Sequence, residues 1–163
     1  MKYLRPLEER DIEELRQWRN FSRAGFLDDE TLITRDMQAA WFIDYQFDDT
    51  DHMYALTDEF GYHLGFTCLT LDEPFGHSAE LGKNIVNPQK RRQGLGLRLI
   101  ILALKQARIL ELTKVYAIVK SDNEAMLALY RNIDDPFSTF IEKYEEVEGK
   151  DGNITFRFDI APA

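Results

Sequence analysis

The hydrophobic positions of this chain follow a helical period in some segments and a strand pattern in others. Ile12, Leu15 and Trp18 recur every three residues, which predicts an amphipathic helix. The apolar run Leu99–Leu104 suits a buried helix, and short runs between turn residues predict strands. The predicted elements are strands at 2–7, 52–57, 62–71, 77–86, 115–119, 137–147 and 153–160, and helices at 8–20, 36–47, 93–110 and from a cap at Ser121 or Asp122 to 132.

This order of elements predicts a single mixed α/β domain over residues 1–163. The early strands are joined by short turns, which favours antiparallel pairing. The segments 77–86, 93–110 and 115–119 form a strand, a helix and a strand, which is the pattern of a βαβ unit. We therefore expect a central, mostly antiparallel mixed sheet with flanking helices. A chain of 163 residues is long enough to bury one core.

Composition narrows the class of protein. Apolar residues make up 44% of the chain, which excludes a disordered polymer. No stretch approaches the ~20 apolar residues of a membrane helix, and the first residues lack the apolar core of a signal peptide. The single cysteine, Cys68, has no partner for an internal disulfide. These features predict a soluble cytoplasmic protein with no membrane partner.

Charge is distributed unevenly. Acidic residues outnumber basic ones by 29 to 20, so the net charge of −9 argues against general nucleic-acid binding. The segment Leu81–Leu110 nevertheless contains no acidic residue. Its basic residues are Lys83, Lys90, Arg91, Arg92, Arg98, Lys105 and Arg108. A cationic segment in an acidic protein predicts one local anionic ligand, although a solvated helix face is the simpler explanation of composition alone.

Two glycines in this basic segment mark a phosphate-binding loop. Gly94 and Gly96 stand where the helix is predicted to begin, and free backbone N–H groups at a helix start bind phosphate. A Walker loop needs Lys-Ser/Thr after the last glycine, but Leu97 and Arg98 follow here. A Rossmann loop needs a third glycine at Leu99. The pattern that remains is Arg91-x-x-Gly94-x-Gly96.

That pattern resembles the pyrophosphate loop of the GCN5-related N-acetyltransferase (GNAT) family. Asn123–Tyr130 is similar to the family's Asn-x-x-Ala-x-x-Leu-Tyr helix with the alanine shifted, and Ala79–Gly82 resembles the start of its fourth strand. The opening, from Leu4 to Asn20, is similar to the ribosomal-protein N-terminal and amino-sugar acetyltransferases. The resemblance spans residues 4 to about 131. One departure follows Tyr130, where a family Gly-Phe pair is absent and Asp134-Asp135-Pro136-Phe137 stands nearby.

The resemblance implies that acetyl-CoA is the co-substrate. Its pyrophosphate would lie on the basic loop, β-strand backbone groups would hold the pantetheine arm, and an asparagine would bind near the thiol. Each residue also suits a plain structural role, as a helix cap, a surface arginine or a strand residue. The implied cofactor-binding residues are Ile85, Val86, Arg91, Arg92, Gln93, Gly94, Leu95, Gly96 and Asn123.

The resemblance also implies two catalytic residues. Tyr130 would donate a proton to the leaving thiolate, although a core aromatic is the alternative. Glu80 would act as base, with Asp72 or Glu73 as substitutes and an ordinary strand glutamate as the alternative. No metal is expected, because His52, His63 and His77 show no ligand spacing with one another or with Cys68.

The function that follows is transfer of an acetyl group from acetyl-CoA to a primary amine. The acceptor stays open among a protein N-terminus, an amino sugar, a polyamine and a small metabolite. Alternatives are a non-catalytic acyl-CoA-binding or regulatory domain and a nucleotide-binding interaction domain. The C-terminal hairpin offers an edge for a homodimer. Candidate acceptor residues lie in the loop after the first helix: Asn20, Phe21, Arg23, Phe26 and Asp28.

Overall fold

Seven strands form one sheet in the order β1-β2-β3-β4-β5-β7-β6 in a computed structural model, which describes residues 2–23, 31–133 and 139–163. The strand bounds are β1 (Lys2–Pro6), β2 (Asp51–Asp58), β3 (His63–Leu71), β4 (Ser78–Val86), β5 (Lys114–Val119), β6 (Ile141–Glu148) and β7 (Ile154–Ile160). The α-helix bounds are α1 (Ile12–Ser22), α2 (Arg35–Tyr45), α3 (Leu95–Ile109) and α4 (Glu124–Arg131). The predicted fold class is confirmed.

The sheet is antiparallel except at its centre. There β4 and β5 are parallel and are connected by α3, as the predicted βαβ unit requires. Their pairing is short, because Ser78–Glu80 faces Lys114–Tyr116 and no later residues of the two strands pair. Since β4 continues to Val86 and β5 to Val119, the sheet opens between them beyond Glu80. This opening is the feature that positions the site.

A β-bulge in β4 lies beside the opening. Phe66 pairs with Ile85 and Cys68 pairs with Gly82, so two residues of β4, Lys83 and Asn84, lie opposite one residue of β3. Lys83 has φ of 53°, which is uncommon outside glycine. A bulge reverses the alternation of side chains that follow it. From Lys83 onward, the side chains of β4 therefore face directions that a regular strand would not give them.

Different helices cover the two faces of the sheet. On one face α3 and α4 pack against β3, β5 and β7, and Leu99, Ile100 and Leu104 of α3 have no exposed surface. On the other face α1 and α2 pack through Trp18 and Phe42 on an apolar cluster that includes β2 and β3 residues. Seven residues of α3 are buried against the sheet and its neighbours, which accounts for the high apolar content of this helix.

The helix α2 begins one residue early, at Arg35, and the starts of α1, α3 and α4 differ from the predicted bounds for reasons that the local geometry shows. A 3-10 turn, Glu9–Asp11, precedes α1 in place of a continuous helix from residue 8. The helix α3 begins at Leu95 and not at Gln93, because Gly94 has a left-handed backbone with φ of 72°. The cap of α4 is Asn123, whose side chain accepts from the backbone N–H of Met126, and not Ser121 or Asp122. The predicted start of the last hairpin at Phe137 lies outside the described residues, and β6 begins at Ile141.

A buried carboxylate ties β1 to α1. Asp11 is fully buried and accepts two hydrogen bonds from the guanidinium of Arg5, at 2.7 and 2.8 Å, and one from the backbone N–H of Glu8 at 2.7 Å. Its Oδ1 also lies 2.7 Å from Nε2 of His63, whose Nδ1 contacts Glu14. Burial opposes ionisation of Asp11, but these hydrogen bonds outweigh it and lower its pKa to about 2.

Replacing Asp11 by asparagine is expected to cost stability in a pH-dependent way. Because the pKa of Asp11 is lower in the folded than in the unfolded chain, its charge stabilises the fold above about pH 4, and this contribution disappears as pH falls to about 2. The expected gap between wild type and Asp11→Asn is on the order of 1–2 kcal/mol near pH 6. Urea unfolding from pH 6 to 2 measures it. A gap that stays constant over this range would contradict the assignment.

Candidate active site

A cleft of about 1100 Å³ occupies the opening between β4 and β5. The start of α3 and the loop before it line one end, and α4 and the end of α1 contribute side chains. The structure brings ten of the eleven predicted site residues to this cleft, and Gln93 alone is not among the described lining residues. The ten are Glu80, Ile85, Val86, Arg91, Arg92, Gly94, Leu95, Gly96, Asn123 and Tyr130.

The N-terminus of α3 faces the cleft without a capping side chain. Gly94 is its N-cap, and the first hydrogen bond of the helix runs from the N–H of Arg98 to the carbonyl of Gly94. The N–H groups of Leu95, Gly96 and Leu97 therefore have no partner inside the helix. A fifteen-residue helix also carries a partial positive charge at this end. The arrangement suits a phosphate group.

Gly96 has a packing role that its place in the motif does not reveal. A Cβ at this position would come within 2.6 Å of Cδ1 of Leu129 in α4. The missing side chain therefore lets α4 pack closely against the first turn of α3. This contact brings Asn123 and Tyr130, at the two ends of α4, into the same cleft as the basic loop.

Cations dominate the described lining of the cleft. Its charged residues are Arg19, Lys83, Arg91, Arg92 and Lys120 against Glu80 and Asp122. The guanidinium of Arg91 donates to Oγ of Ser22 at 3.1 Å and lies 5.2 Å from the centre of the Phe21 ring. The basic loop is thus attached to the end of α1. An anionic ligand is favoured at this end of the cleft.

Tyr130 also lines the cleft and is almost fully buried. Its ring stacks on Phe156 with centroids 4.9 Å apart, and its hydroxyl accepts a hydrogen bond from Nδ2 of Asn84 at 3.2 Å. Burial raises the pKa of Tyr130 far above its usual value, and the negative charge of Glu80 raises it further, while the Asn84 hydrogen bond opposes both. Tyr130 therefore keeps its proton at neutral pH and is able to donate it.

Glu80 lies where β4 and β5 separate, as it belongs to their last pair. Its neighbours Ala79 and Leu81 belong to the core under α3, so alternation along β4 points Glu80 to the face of α1 and α2. Tyr130 belongs to the core on the α3 face. The carboxylate and the phenol therefore flank the opening from opposite faces of the sheet, close enough for the charge of Glu80 to affect the pKa of Tyr130.

The substitute bases are placed less favourably. Asp72 accepts a hydrogen bond from the hydroxyl of Tyr116 at 2.7 Å, and neither Asp72 nor Glu73 is among the described lining residues. Cys68 is fully buried, and burial raises the pKa of its thiol to about 12, so it is a core thiol. Asn123 lines the cleft and also caps α4, so its structural and ligand-binding roles are compatible.

Only part of the predicted acceptor loop is described. Phe21 lines the cleft, whereas Asn20 bonds both backbone groups of Ile33 and thereby fixes the segment before α2. Arg23 donates to the carbonyl of Asn20. Phe26 and Asp28 lie outside the described residues, and so does the departure at 134–137.

Sequence reasoning missed several residues that line the cleft. Lys83 pairs with Asp51 at 2.6 Å, and Asp51 also accepts from the hydroxyl of Thr70 at 2.6 Å. Asn84 bonds Tyr130 from the β4 bulge. No local signal marks these residues, because the bulge that orients them depends on how β4 pairs with β3. Arg19 of α1 also lines the cleft, whereas the sequence predicts for it only a place in the first helix.

Two absences hold for the part of the chain that the structure describes. No cluster of three or more histidine, cysteine, aspartate or glutamate residues there has the geometry to hold a metal ion. None of the helices in those ranges has both the length and the apolar character needed to cross a membrane.

The fold and the site define a class: an α/β domain in which an uncapped helix start and a basic loop border a cleft in an opened parallel strand pair, an arrangement that suits a phosphate-bearing ligand. Comparison with protein-family models matches residues 12–133 to the acetyltransferase (GNAT) family. The chain belongs to this family. It is an acetyltransferase with acetyl-CoA as co-substrate, and the prediction of amine N-acetylation is confirmed at the level of the family.

Solved structures show the same fold at low sequence identity. Spermidine N-acetyltransferase from Vibrio cholerae, in complex with CoA and spermine, is 20% identical with a TM-score of 0.77, over 98% of this chain and 95% of that one. Ribosomal-protein-alanine N-acetyltransferase from Brucella melitensis is 23% identical with a TM-score of 0.71, over 97% and 99%. A nucleotide-linked sugar GNAT is 16% identical with a TM-score of 0.77, over 97% and 86%. A search of curated proteins finds no match.

Proposed function

We propose that this protein acetylates a primary amine by direct attack on acetyl-CoA within the cleft between β4 and β5. The observation that carries the proposal is the opening itself. An uncapped helix start lies beside two of the cleft's cations, Arg91 and Arg92, and a carboxylate and a protonated phenol flank the point where the strands separate. Acetyl-CoA supplies a thioester, whose carbonyl carbon accepts the amine and whose sulfur leaves.

The basic loop and the start of α3 would hold the pyrophosphate. Gly94, Leu95 and Gly96 line the cleft, and the N–H groups of Leu95 and Gly96 have no partner inside the helix, so they would bind the phosphates, while the guanidinium groups of Arg91 and Arg92 would add charge-assisted hydrogen bonds. Gln93 would contribute through its backbone amide. When CoA binds, Arg91 would exchange its contact with Ser22 for one with the phosphate. The five donors of its guanidinium allow this change of partner.

The free edge of β4 would hold the pantetheine arm. Beyond Glu80 this edge has no β5 partner, so those backbone groups of Ile85 and Val86 that are directed away from β3 would be available to an extended ligand. Such a ligand would fill the gap in the sheet as a strand does. Asn123, the N-cap of α4, would bind the pantetheine arm near its thiol end.

The two polar residues at the opening would move the protons. Glu80, on the face of α1 and α2, would take a proton from the attacking amine, directly or through an ordered water. As the new C–N bond forms and the C–S bond breaks, Tyr130 would give its proton to the departing sulfur from the opposite face. A backbone N–H of β4 near the bulge would stabilise the charge that develops on the carbonyl oxygen.

A screen of amines tests this function. Release of free CoA thiol from acetyl-CoA should be measured with a polyamine, an amino sugar, a nucleotide-linked amino sugar and peptides with free N-termini, each with product mass confirmed. We expect one class to give equimolar CoA and N-acetyl product. CoA binding without turnover across the panel would favour the non-catalytic acyl-CoA-binding alternative. Binding of nucleotides but not CoA would favour the nucleotide-binding alternative.

A homodimer is a proposal that the sheet order supports. β6 forms one edge of the sheet, next to β7, so its outer backbone groups are open to pairing. Sedimentation at several protein concentrations tests it.

Replacing Glu80 by glutamine is expected to lower kcat/KM most near neutral pH. A lysine-like amine with a pKa of about 10.4 is only about 0.04% neutral at pH 7, whereas an α-amine with a pKa of about 7.8 is roughly 14% neutral. A base helps most when the amine is protonated. The loss of kcat/KM in Glu80→Gln should therefore shrink as pH approaches the pKa of the amine. Profiles of kcat/KM from about pH 6 to 10 decide this. Superimposable profiles would mean that Glu80 is a strand residue without a role in proton transfer.

A further inference from the structure

Asn84 connects the bulge of β4 to the catalytic tyrosine. Its Oδ1 lies 2.7 Å from the hydroxyl of Thr67, and its Nδ2 lies 3.2 Å from the hydroxyl of Tyr130. Regular alternation from Glu80 would place Asn84 on the face of α1 and α2, away from Tyr130. The bulge instead turns Asn84 to the α3 face, where both partners lie. The geometry thus builds a three-residue chain of hydrogen bonds that ends in the cleft.

The buried threonine sets the direction of these two hydrogen bonds. Thr67 has no exposed surface, and its hydroxyl donates to Oδ1 of Asn84. If the amide were reversed, its NH₂ would donate to Thr67 and the threonine proton would lose this acceptor. A buried polar group without a partner is costly, so the threonine fixes Nδ2 toward Tyr130.

The direction of the chain decides where the tyrosine proton points. Because Asn84 donates to the oxygen of Tyr130, the proton of that hydroxyl is not directed at Asn84. The ring of Tyr130 is stacked on Phe156, and the residue borders the cleft. No residue in the described ranges accepts this proton, which leaves the cleft, where the sulfur of the co-substrate would lie, as its direction.

We propose that Asn84, oriented by Thr67, is a positioning residue that directs the hydroxyl proton of Tyr130 toward the leaving sulfur. The inference rests on the proposed function, in which Tyr130 is the proton donor. A hydrogen bond donated to the tyrosine oxygen also stabilises the phenolate as the proton leaves. Asn84 therefore acts on the bond-breaking step and not on the binding of acetyl-CoA.

The decisive variant is Asn84→Asp, which has nearly the same shape but only acceptor oxygens. Its carboxylate would accept from both Thr67 and Tyr130 and so turn the tyrosine proton away from the cleft. We expect kcat to fall by about tenfold or more, with KM for acetyl-CoA unchanged within about twofold. In a Tyr130→Phe background the same substitution should change kcat little, because the proton that it misdirects is absent.

Substitutions at Thr67 keep the proposal testable if Asn84→Asp fails to fold. Thr67→Val removes the hydroxyl that orients the amide and should lower kcat without raising KM, whereas Thr67→Ser should rescue most of the rate. Thr57→Val, at another buried threonine on β2, is the packing control and should leave kcat unchanged. Calorimetry or circular dichroism confirms that each variant is folded.

The outcomes separate this inference from the proposed function. If Tyr130→Phe alone leaves kcat unchanged, the proton-donor role fails, and this inference fails with it. If Tyr130→Phe lowers kcat strongly but Asn84→Asp and Thr67→Val do not, the proposed function stands and the positioning role is wrong. The positioning role would also be wrong if the double variant Asn84→Asp/Tyr130→Phe lost kcat by the full product of the two single losses.

Discussion

Replacing Tyr130 by phenylalanine is expected to lower kcat for amine acetylation by about 10²- to 10⁴-fold, the usual range for losing a general acid. Phenylalanine keeps the ring, so the stack on Phe156 should persist. The hydroxyl acts mainly as the sulfur departs, so KM for acetyl-CoA should change little. Steady-state kinetics with the acceptor identified in the amine screen measure both constants.

Stability supplies the control for this experiment. Without the tyrosine oxygen, the half-buried Nδ2 group of Asn84 loses an acceptor, which is expected to cost about 0.5–1.5 kcal/mol. Rates should therefore be compared well below the melting temperature of the variant and normalised to folded protein. If Tyr130→Phe is destabilised but its folded fraction turns over at the wild-type rate, Tyr130 is a core aromatic and the proton comes from elsewhere.

Replacing Gly94 by valine is expected to weaken CoA binding by about 100-fold or more, which is comparable to losing one or two charge-assisted hydrogen bonds at about 1.5–3 kcal/mol each. Gly94 has φ of 72°, which costs about 1–2 kcal/mol for a residue with a Cβ. No protein atom lies within 4 Å of a Cβ built there, so the side chain would occupy free space in front of the helix start. The strained backbone and the added side chain would both disturb the position of the phosphate at the helix start. Isothermal titration with CoA measures the change.

Gly61 offers a matched control on the same chain. It has φ of 85°, no atom lies within 4 Å of its ideal Cβ, and it belongs to the turn between β2 and β3. Gly61→Val should thus show a similar loss of stability from backbone strain with unchanged CoA affinity. Equal affinity of Gly94→Val and Gly61→Val for CoA would show that the helix start does not bind the pyrophosphate.

The place of the basic loop at the start of α3 was predictable from the sequence because the loop and the helix start are adjacent along the chain. Arg91, Gly94 and Gly96 lie within six residues, and a strand, a basic loop and a helix start follow one another directly. The family's asparagine and tyrosine, Asn123 and Tyr130, lie on one short helix and were found for the same reason. Their convergence on one cleft required α4 to pack on Gly96, which the sequence alone did not show.

The opening and its surrounding residues depend on tertiary pairing and were less accessible to sequence analysis. The predicted strands at 77–86 and 115–119 match β4 and β5 closely, yet the number of residues that pair between them is set by the whole sheet. The bulge also reverses the faces of Lys83 and Asn84 relative to simple alternation. A pattern of period two therefore gives the wrong face for the residue that contacts Tyr130.

The central claim is that the opening between β4 and β5 holds acetyl-CoA with its sulfur at Tyr130 and its pyrophosphate at the start of α3. A crystal structure of the protein with CoA tests it most directly. The account predicts the pyrophosphate against the backbone of residues 94–96, the pantetheine arm along the free edge of β4, and the sulfur within hydrogen-bonding distance of the Tyr130 hydroxyl. A pyrophosphate bound elsewhere, or a sulfur directed away from Tyr130, would contradict it.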